Sequence, residues 1–215
     1  CGANDFTASG AMTVTSGEFR VGANTTTVGG TLTIDGGTAT FTTATLIDCN
    51  GAVAFSGGTL TAPNNTMNVA GNWTQTAAAG SFTCGTGTVK FDGAAVQTIR
   101  SNSATYNKIT VTNANVLGVI FREAFTAASF EDTTASTKLY FKEGLIYTIT
   151  GAAGSFNLNG QAVGTRITAD SEDSATQFTM DFTGGAQSIN YVDLDQCIAG
   201  TNAGKAYNSL DGTHN

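Results

Sequence analysis

The sequence repeats one motif four times between Gly10 and Asp92, with openings that read GAMTV from Gly10, GTLTI from Gly30, GAVAF from Gly51 and GNWTQ from Gly71. Second phrases follow, GEFRV, GTATF, GTLTA and GSFTC, and their first glycines are 20, 21 and 22 residues apart. Third phrases, TTV, LID, MNV and VKF, keep the same three spacings. Three phrases that keep register over four units predict an elongated solenoid.

Alternating polarity within each phrase predicts short strands, because successive strand side chains point to opposite faces. The glycines between phrases suit tight turns. Stacking the four units predicts four inward columns: Met12, Leu32, Val53 and Trp73; Phe19, Ala39, Leu60 and Phe82; Val21, Phe41, Ala62 and Cys84; and Leu46, Met67 and Val89.

Strands that recur every 20 to 22 residues beside their counterparts are parallel, so we expect an all-β, three-faced parallel β-helix. We expect a single solenoid over residues 1–215, with regular rungs over 10–92 and less regular rungs over 93–215. Asp48 interrupts the third phrase. Either the strand shifts by one residue so that Leu46 alone is buried, or a carboxylate lies near the core.

Composition agrees with a β-rich chain, since it has 27 glycines, one proline and 12% charged residues. The net charge of −7 disfavours nucleic acid as a partner. No apolar run approaches the roughly 20 residues that span a bilayer, so we expect no membrane insertion. The four cysteines have no close spacing and His214 is the one histidine, which disfavours a zinc or iron–sulfur site.

Three segments resemble the repeat regions of large secreted or cell-surface adhesin-like proteins of bacteria and some archaea. They are GNWTQTAAAGSFTCGTGTVKFDGAAVQTI (71–99), KLYFKEGLIYTITG (138–151) and INYVDLDQCIAGTNAGKAYNSLDGTHN (189–215). The resemblance implies a right-handed parallel β-helix, and the crossover rule for parallel strands favours the same hand. It implies an extracellular setting and supplies no catalytic residues.

Carboxylate clusters are the signature of the polysaccharide lyases and hydrolases that share this architecture. Candidates are the loop with Asp170, Glu172 and Asp173, the pair Glu131 and Asp132, and the alternating Asp193 and Asp195. Asp193 and Asp195 are also the weak candidates for calcium, since carboxylate oxygens suit that ion. A solvated turn is the simpler interpretation. We therefore expect no catalytic residues and no cofactor, with calcium as the one exception considered.

Hydroxyl side chains occupy the outward positions of the second phrase in three adjacent units. Such an array occurs in ice-binding solenoids and could dock sugars, although threonine suits any exposed strand. The candidate surface-binding residues are Thr38, Thr40, Thr59, Thr61, Ser81 and Thr83. Three triplets match the N-glycosylation pattern, at Asn24, Asn64 and Asn72.

The sequence therefore favours a structural protein, a segment or subunit of an extracellular fibre, stalk or adhesin. We expect its partners to be other copies stacked head to tail, with surface glycans as further candidates. The alternatives are a carbohydrate- or ice-binding module on the threonine face and a polysaccharide-degrading enzyme. A chain that runs from Cys1 to Asn215 is also expected to be a piece of a longer precursor.

Overall fold

A computed structural model describes residues 5–78 and 81–211 of the chain. Among these residues the one helical element is the 3₁₀ turn Val163–Thr165. The strands, in chain order, are β1 Phe6–Ala8, β2 Met12–Val14, β3 Glu18–Arg20, β4 Thr25–Val28, β5 Leu32–Thr40, β6 Leu46–Cys49, β7 Val53–Thr61, β8 Thr66–Val69, β9 Trp73–Gln75, β10 Phe82–Thr83, β11 Thr88–Phe91, β12 Gln97–Arg100, β13 Thr105–Val111, β14 Val119–Phe121, β15 Thr126–Asp132, β16 Lys138–Phe141, β17 Ile146–Ile149, β18 Phe156–Leu158, β19 Ile167–Ser171, β20 Phe178–Phe182, β21 Gln187–Asn190, β22 Val192–Leu194, β23 Cys197–Ala199, β24 Gly204–Tyr207 and β25 Leu210–Asp211.

The strands stack into two long parallel sheets and one short one. The first sheet follows the path β1-β4-β6-β8-β11-β13-β15-β17-β20-β23, and β18 joins it beside β15. The second follows β2-β5-β7-β9-β12-β14-β16-β19-β22-β25, with β3 beside β5 and β10 beside β7. The third pairs β21 with β24. Ten strands along each long path make a β-solenoid of about ten turns, which confirms the predicted all-β parallel β-solenoid. At about 4.8 Å per turn the stack is about 48 Å long.

The first two predicted columns are confirmed residue by residue. Met12 pairs with Leu32, Leu32 with Val53, and Val53 with Trp73. The second column, Phe19, Ala39, Leu60 and Phe82, pairs in the same way. Leu60 and Trp73 are fully buried. The spacing of the repeat therefore determines which face of each strand enters the core.

The fourth column, predicted as Leu46, Met67 and Val89, corrects the prediction for Leu46. Ile47, not Leu46, pairs with Met67, and Cys49 pairs with both Val28 and Val69. Asp48 consequently points outward between Thr27 and Asn68, and the Asn68 amide donates to its carboxylate at 3.4 Å. No carboxylate lies near the core here. The true spacings are 21, 20 and 22 residues, because the buried cysteine behaves as a small hydrophobe.

The sheet that contains the long strands differs between the early and the later turns of the stack. In the second and third turns the long strands are β5 and β7 of the second sheet. Each has nine residues and continues through a pair of glycines, Gly36–Gly37 in β5 and Gly57–Gly58 in β7. Gly58, at φ +65°, makes this possible, because a Cβ there would lie 1.9 Å from the Gly37 carbonyl oxygen. Farther along, β13 and β15 are seven-residue strands of the first sheet. A turn thus consists either of three short strands or of one short and one long strand. The long strand belongs to the second sheet in the early turns and to the first sheet in the later ones.

Aromatic rings fill the interior of the middle turns. Trp73 contacts Phe55, Phe82 and Tyr106, with ring centroids 5.0 to 6.0 Å apart. Ring contacts continue through Phe125, Tyr147 and Phe178. Pairs of this kind add about 0.5 to 1.5 kcal/mol beyond the burial of their area. The core is therefore continuous from turn to turn.

A buried amide holds one corner together. Gln97 donates from Nε2 to the carbonyl oxygens of Val69 and Gly71, at 2.8 and 2.6 Å. Its Oε1 accepts from the Gly93 backbone and from the Asn113 amide, at 3.0 and 2.9 Å. A buried amide must satisfy its donors and acceptors inside the protein. Gln97 does so by linking the backbones of neighbouring turns.

Candidate functional site

The outward hydroxyls of the second sheet lie in register, as the repeat predicts. We call Thr38, Thr40, Thr59, Thr61 and Thr83 the hydroxyl ladder. Thr38 pairs with Thr59, and Thr61 lies between Thr40 and Thr83. The Thr59 hydroxyl donates to the Thr38 hydroxyl at 3.1 Å. The ladder is thus a small ordered patch whose members bond partly to each other.

The ladder ends at a charged residue on its N-terminal side. The Thr40 hydroxyl donates to Glu18 Oε1 at 2.9 Å, and Arg20 forms an ion pair with the same carboxylate at 2.7 Å. These two partners, Thr40 first, lower the pKa of Glu18. Glu18 therefore stays ionised beside the threonines.

Ser81 does not join the ladder. Its side chain is buried, donates to the Ala78 carbonyl oxygen at 2.6 Å and accepts from the Gln75 amide at 3.3 Å. Its hydroxyl is hydrogen-bonded within the local turn before β10 and does not lie on the outer face of the sheet. The outward array therefore has five hydroxyls.

The acidic residues suggested for catalysis fall into different places. Asp132 lies in the core column between Val111 and Leu158, whereas Glu131 points outward and pairs with Lys108 at 3.1 Å. Burial raises the pKa of Asp132 to about 7, and one carboxylate oxygen, Oδ2, is buried without a hydrogen-bond partner. Asp132 is fully buried and therefore does not face solvent.

A charged groove of about 410 Å³ forms at the C-terminal ends of strands β12, β14, β16 and β19 of the second sheet. It is lined by Arg100, Arg122, Lys142, Glu143, Glu172 and Asp173. Glu172 accepts from Arg122 Nε at 2.9 Å, and Lys142 forms an ion pair with Glu143.

Asp173 accepts from two backbone N–H groups, of Thr176 and Ala175, which lower its pKa to about 2. The groove's acids come from two turns, and Glu143 and Glu172 are each held by a cation. A general acid needs a raised pKa, whereas the pKa values of Glu143 and Asp173 are lowered, by Lys142 and by the backbone N–H groups respectively. These two carboxylates therefore do not suit that role.

The calcium candidates lie near the C-terminal end of the stack. Asp193 pairs with Thr168 and Leu210, and Asp195 accepts from the Gln196 backbone at 2.8 Å. Within the described part of the chain, no group of three or more Asp, Glu, His or Cys side chains could hold a metal ion. Calcium binding at Asp193 and Asp195 stays a prediction.

The three glycosylation candidates differ in exposure. Asn64 and Asn72 are exposed, and their side-chain oxygens accept backbone N–H groups of Thr86 and Thr98, at 3.4 and 2.8 Å. Asn24 is half-buried. Its structural counterpart is Asn65, because Thr25 and Thr66 both pair with Leu46.

Two further cavities were not predicted from the sequence. One is apolar, about 190 Å³, and opens into the core where β23 and β24 carry small residues; its lining includes Phe178, Met180, Ala199, Gly204 and Ala206. The other is a polar groove of about 440 Å³ on the outer face, which we call the amide groove. Its side chains are Asn157, Asn159, Ser188, Asn190, Tyr207 and Asn208. Both cavities are lined by residues from several turns of the irregular half of the chain, and these turns can be aligned only in the structure.

Comparisons with protein-family profiles, with curated protein sequences and with solved structures find no significant match. In the described residues no helix is long and apolar enough to span a membrane. The class of protein that the fold defines is therefore a parallel β-solenoid, and function has to be argued from its surfaces.

Proposed function

We propose that this chain is a structural, non-catalytic segment of an extracellular or cell-surface fibre, stalk or adhesin, and that it stacks head to tail with other copies. The observation that carries the proposal is that both ends of the stack present apolar surface. The first turn presents the half-buried Phe6, Met12 and Phe19. The last turns present the apolar cavity lined by Ala199 and Ala206. The resemblance to adhesin repeats supports the extracellular setting.

The backbone supports the same assembly. At one end of the described stack, β1, β2 and β3 each pair with a strand on one side only, and β23, β24 and β25 do so at the other. A strand edge of this kind is a template for another strand. Contact between one copy's first turn and the next copy's last turn is heterologous and does not close, so it extends into a filament.

The test is self-association of the purified chain, followed by sedimentation velocity and negative-stain electron microscopy. We expect filaments with a subunit repeat of about 48 Å. Ala199→Asp places a charge in the apolar cavity and should abolish assembly. Its matched control is Ile198→Asp, because Ile198 is 44% exposed and precedes Ala199 in the same strand.

The native mass of the two folded variants decides the outcome. A wild-type chain that stays monomeric at high concentration would contradict the proposal. So would equal assembly of both variants.

The alternative is a glycan- or ice-binding module on the hydroxyl ladder. It is favoured by the register of Thr38 with Thr59 and of Thr40 with Thr61. Replacing Thr40 and Thr61 together with lysine should leave the fold intact, since both point outward, and should remove thermal hysteresis or glycan retention. Activity that survives the double substitution would exclude this face.

A further inference from the structure

Outward side chains of β18, β21 and β24 form a compact grid that carries almost no charge. Asn190 pairs with Tyr207, and Ser188 with Lys205. An isolated bridge joins Asn159 to Asn190 and extends the register to β18. Three adjacent turns therefore bring amides, a hydroxyl and an aromatic ring to one surface, the amide groove.

Most of the polar atoms in this groove remain available for a ligand. Asn208, at φ +49°, donates from Nδ2 to Asn190 Oδ1 at 2.9 Å, which leaves Asn190 Nδ2 and Asn208 Oδ1 unused. Asn157 and Ser188 make no side-chain hydrogen bond to another described residue. Asn157 offers a donor and an acceptor a short distance apart, and Asn190 Nδ2 together with Asn208 Oδ1 offers a second donor and acceptor. Such a pair matches neighbouring hydroxyls of one sugar ring, since each hydroxyl both donates and accepts.

Tyr207 gives the groove an apolar surface. It is 54% exposed, whereas Tyr106 and Tyr147 are buried in the core. A tyrosine ring combines an apolar face with a polar hydroxyl, and exposed rings of this kind are enriched where proteins bind partners. Beside amide groups, its face suits the C–H surface of a pyranose ring.

We propose that the amide groove binds a neutral saccharide. Its volume, about 440 Å³, lies within the range of small-ligand sites. No carboxylate lines it, so a metal ion would have no charged ligand there. Lys205 is adjacent to Ser188 in the sheet. The nearby cations are Lys205 and Arg166, whose Nε donates to the Asn208 carbonyl oxygen at 3.2 Å, and neither side chain lines the groove. A site for an anionic polymer needs several cations in its lining.

The experiment is affinity electrophoresis of the folded chain in native gels that contain one of four uncharged polymers: galactomannan, laminarin, hydroxyethyl cellulose or dextran. A fifth gel contains polygalacturonate. We expect retardation by at least one neutral polymer. The apparent dissociation constant should rise at least tenfold in Tyr207→Ala and in Asn190→Ala.

Tyr140→Ala is the matched control, because Tyr140 points outward from β16 on the other long sheet. It should migrate as the wild type does. Circular dichroism establishes that each variant is folded. If Tyr207→Ala unfolds, Asn157→Leu replaces it, since leucine suits an outward strand position.

The proposal is overturned if no neutral polymer retards the chain, if polygalacturonate alone does, or if Tyr207→Ala and Tyr140→Ala behave alike. These outcomes are separate from those of the fibre test. A monomer that binds glycan would contradict assembly only, and filaments without retardation would contradict this site only.

Discussion

Replacing the buried Asp132 with asparagine should stabilise the protein, and by an amount that depends on pH. Burial is the main cause that raises the pKa of Asp132 from 3.8 to about 7, and hydrogen bonds from Thr134 and Thr137 oppose it in part. Between about pH 4 and pH 7 the folded chain therefore binds a proton that the unfolded chain has released. Stability falls as pH rises through that window, because the native state binds more protons.

The magnitude follows from the difference between the two pKa values. About three pH units at 1.36 kcal/mol per unit give an upper figure of about 4 kcal/mol. Asp132→Asn has nearly the same shape and stays neutral. The free energy of unfolding of the variant, minus that of the wild type, should be close to zero at about pH 4 and should approach about 4 kcal/mol by about pH 8.

Urea unfolding at a series of pH values measures this difference, with the fluorescence of Trp73 as the probe. Trp73 is the one tryptophan of the chain and is fully buried. The control is Glu131→Gln, an outward neighbour whose partial exposure limits its ion pair to less than about 1 kcal/mol. A difference between Asp132→Asn and wild type that stays constant from about pH 4 to pH 8 would refute the reasoning.

Three further experiments test the packing. Leu60→Ala should cost about 2 to 5 kcal/mol in thermal or urea unfolding, whereas Thr61→Ala should stay within about 0.5 kcal/mol; comparable losses would mean that the faces are misassigned. Gly58→Ala should destabilise the chain more than Gly144→Ala, since both have positive φ but only Gly58 has backbone within 4 Å of a new Cβ. Iodoacetamide at about pH 8 should leave Cys49 unmodified until the chain is denatured, because burial raises the pKa of its thiol to about 12, and rapid labelling in the native state would contradict its placement.

Sequence reasoning succeeded where the repeat is regular and where polarity alternates strictly. Leu60 and Trp73 were placed correctly because one spacing constrains three residues at once. The prediction is wrong at Leu46, because the buried last member of that phrase is Cys49 and not Asp48. A cysteine is small and apolar when buried, so polarity alone does not mark it.

The surfaces of the second half could not be predicted in the same way. The groove residues Asn157, Asn190 and Tyr207 are far apart in sequence, and the turns between them have unequal lengths. One of those turns contains the extra strand β18 and the 3₁₀ turn Val163–Thr165. Without a constant period, no column could be assigned, and amides gave no signal by themselves. Ser81 also escaped prediction, because its turn draws the hydroxyl inward.

The hydroxyl ladder has a limited extent along the axis of the solenoid. β5 and β7 hold four of its threonines and β10 adds Thr83, so the ladder covers three turns, or about 15 Å. A rigid crystal plane resting on this face would meet only those five hydroxyls. A short segment of a flexible polymer would contact the same five, so the size of the ladder favours a local stretch of chain over an extended plane as its partner.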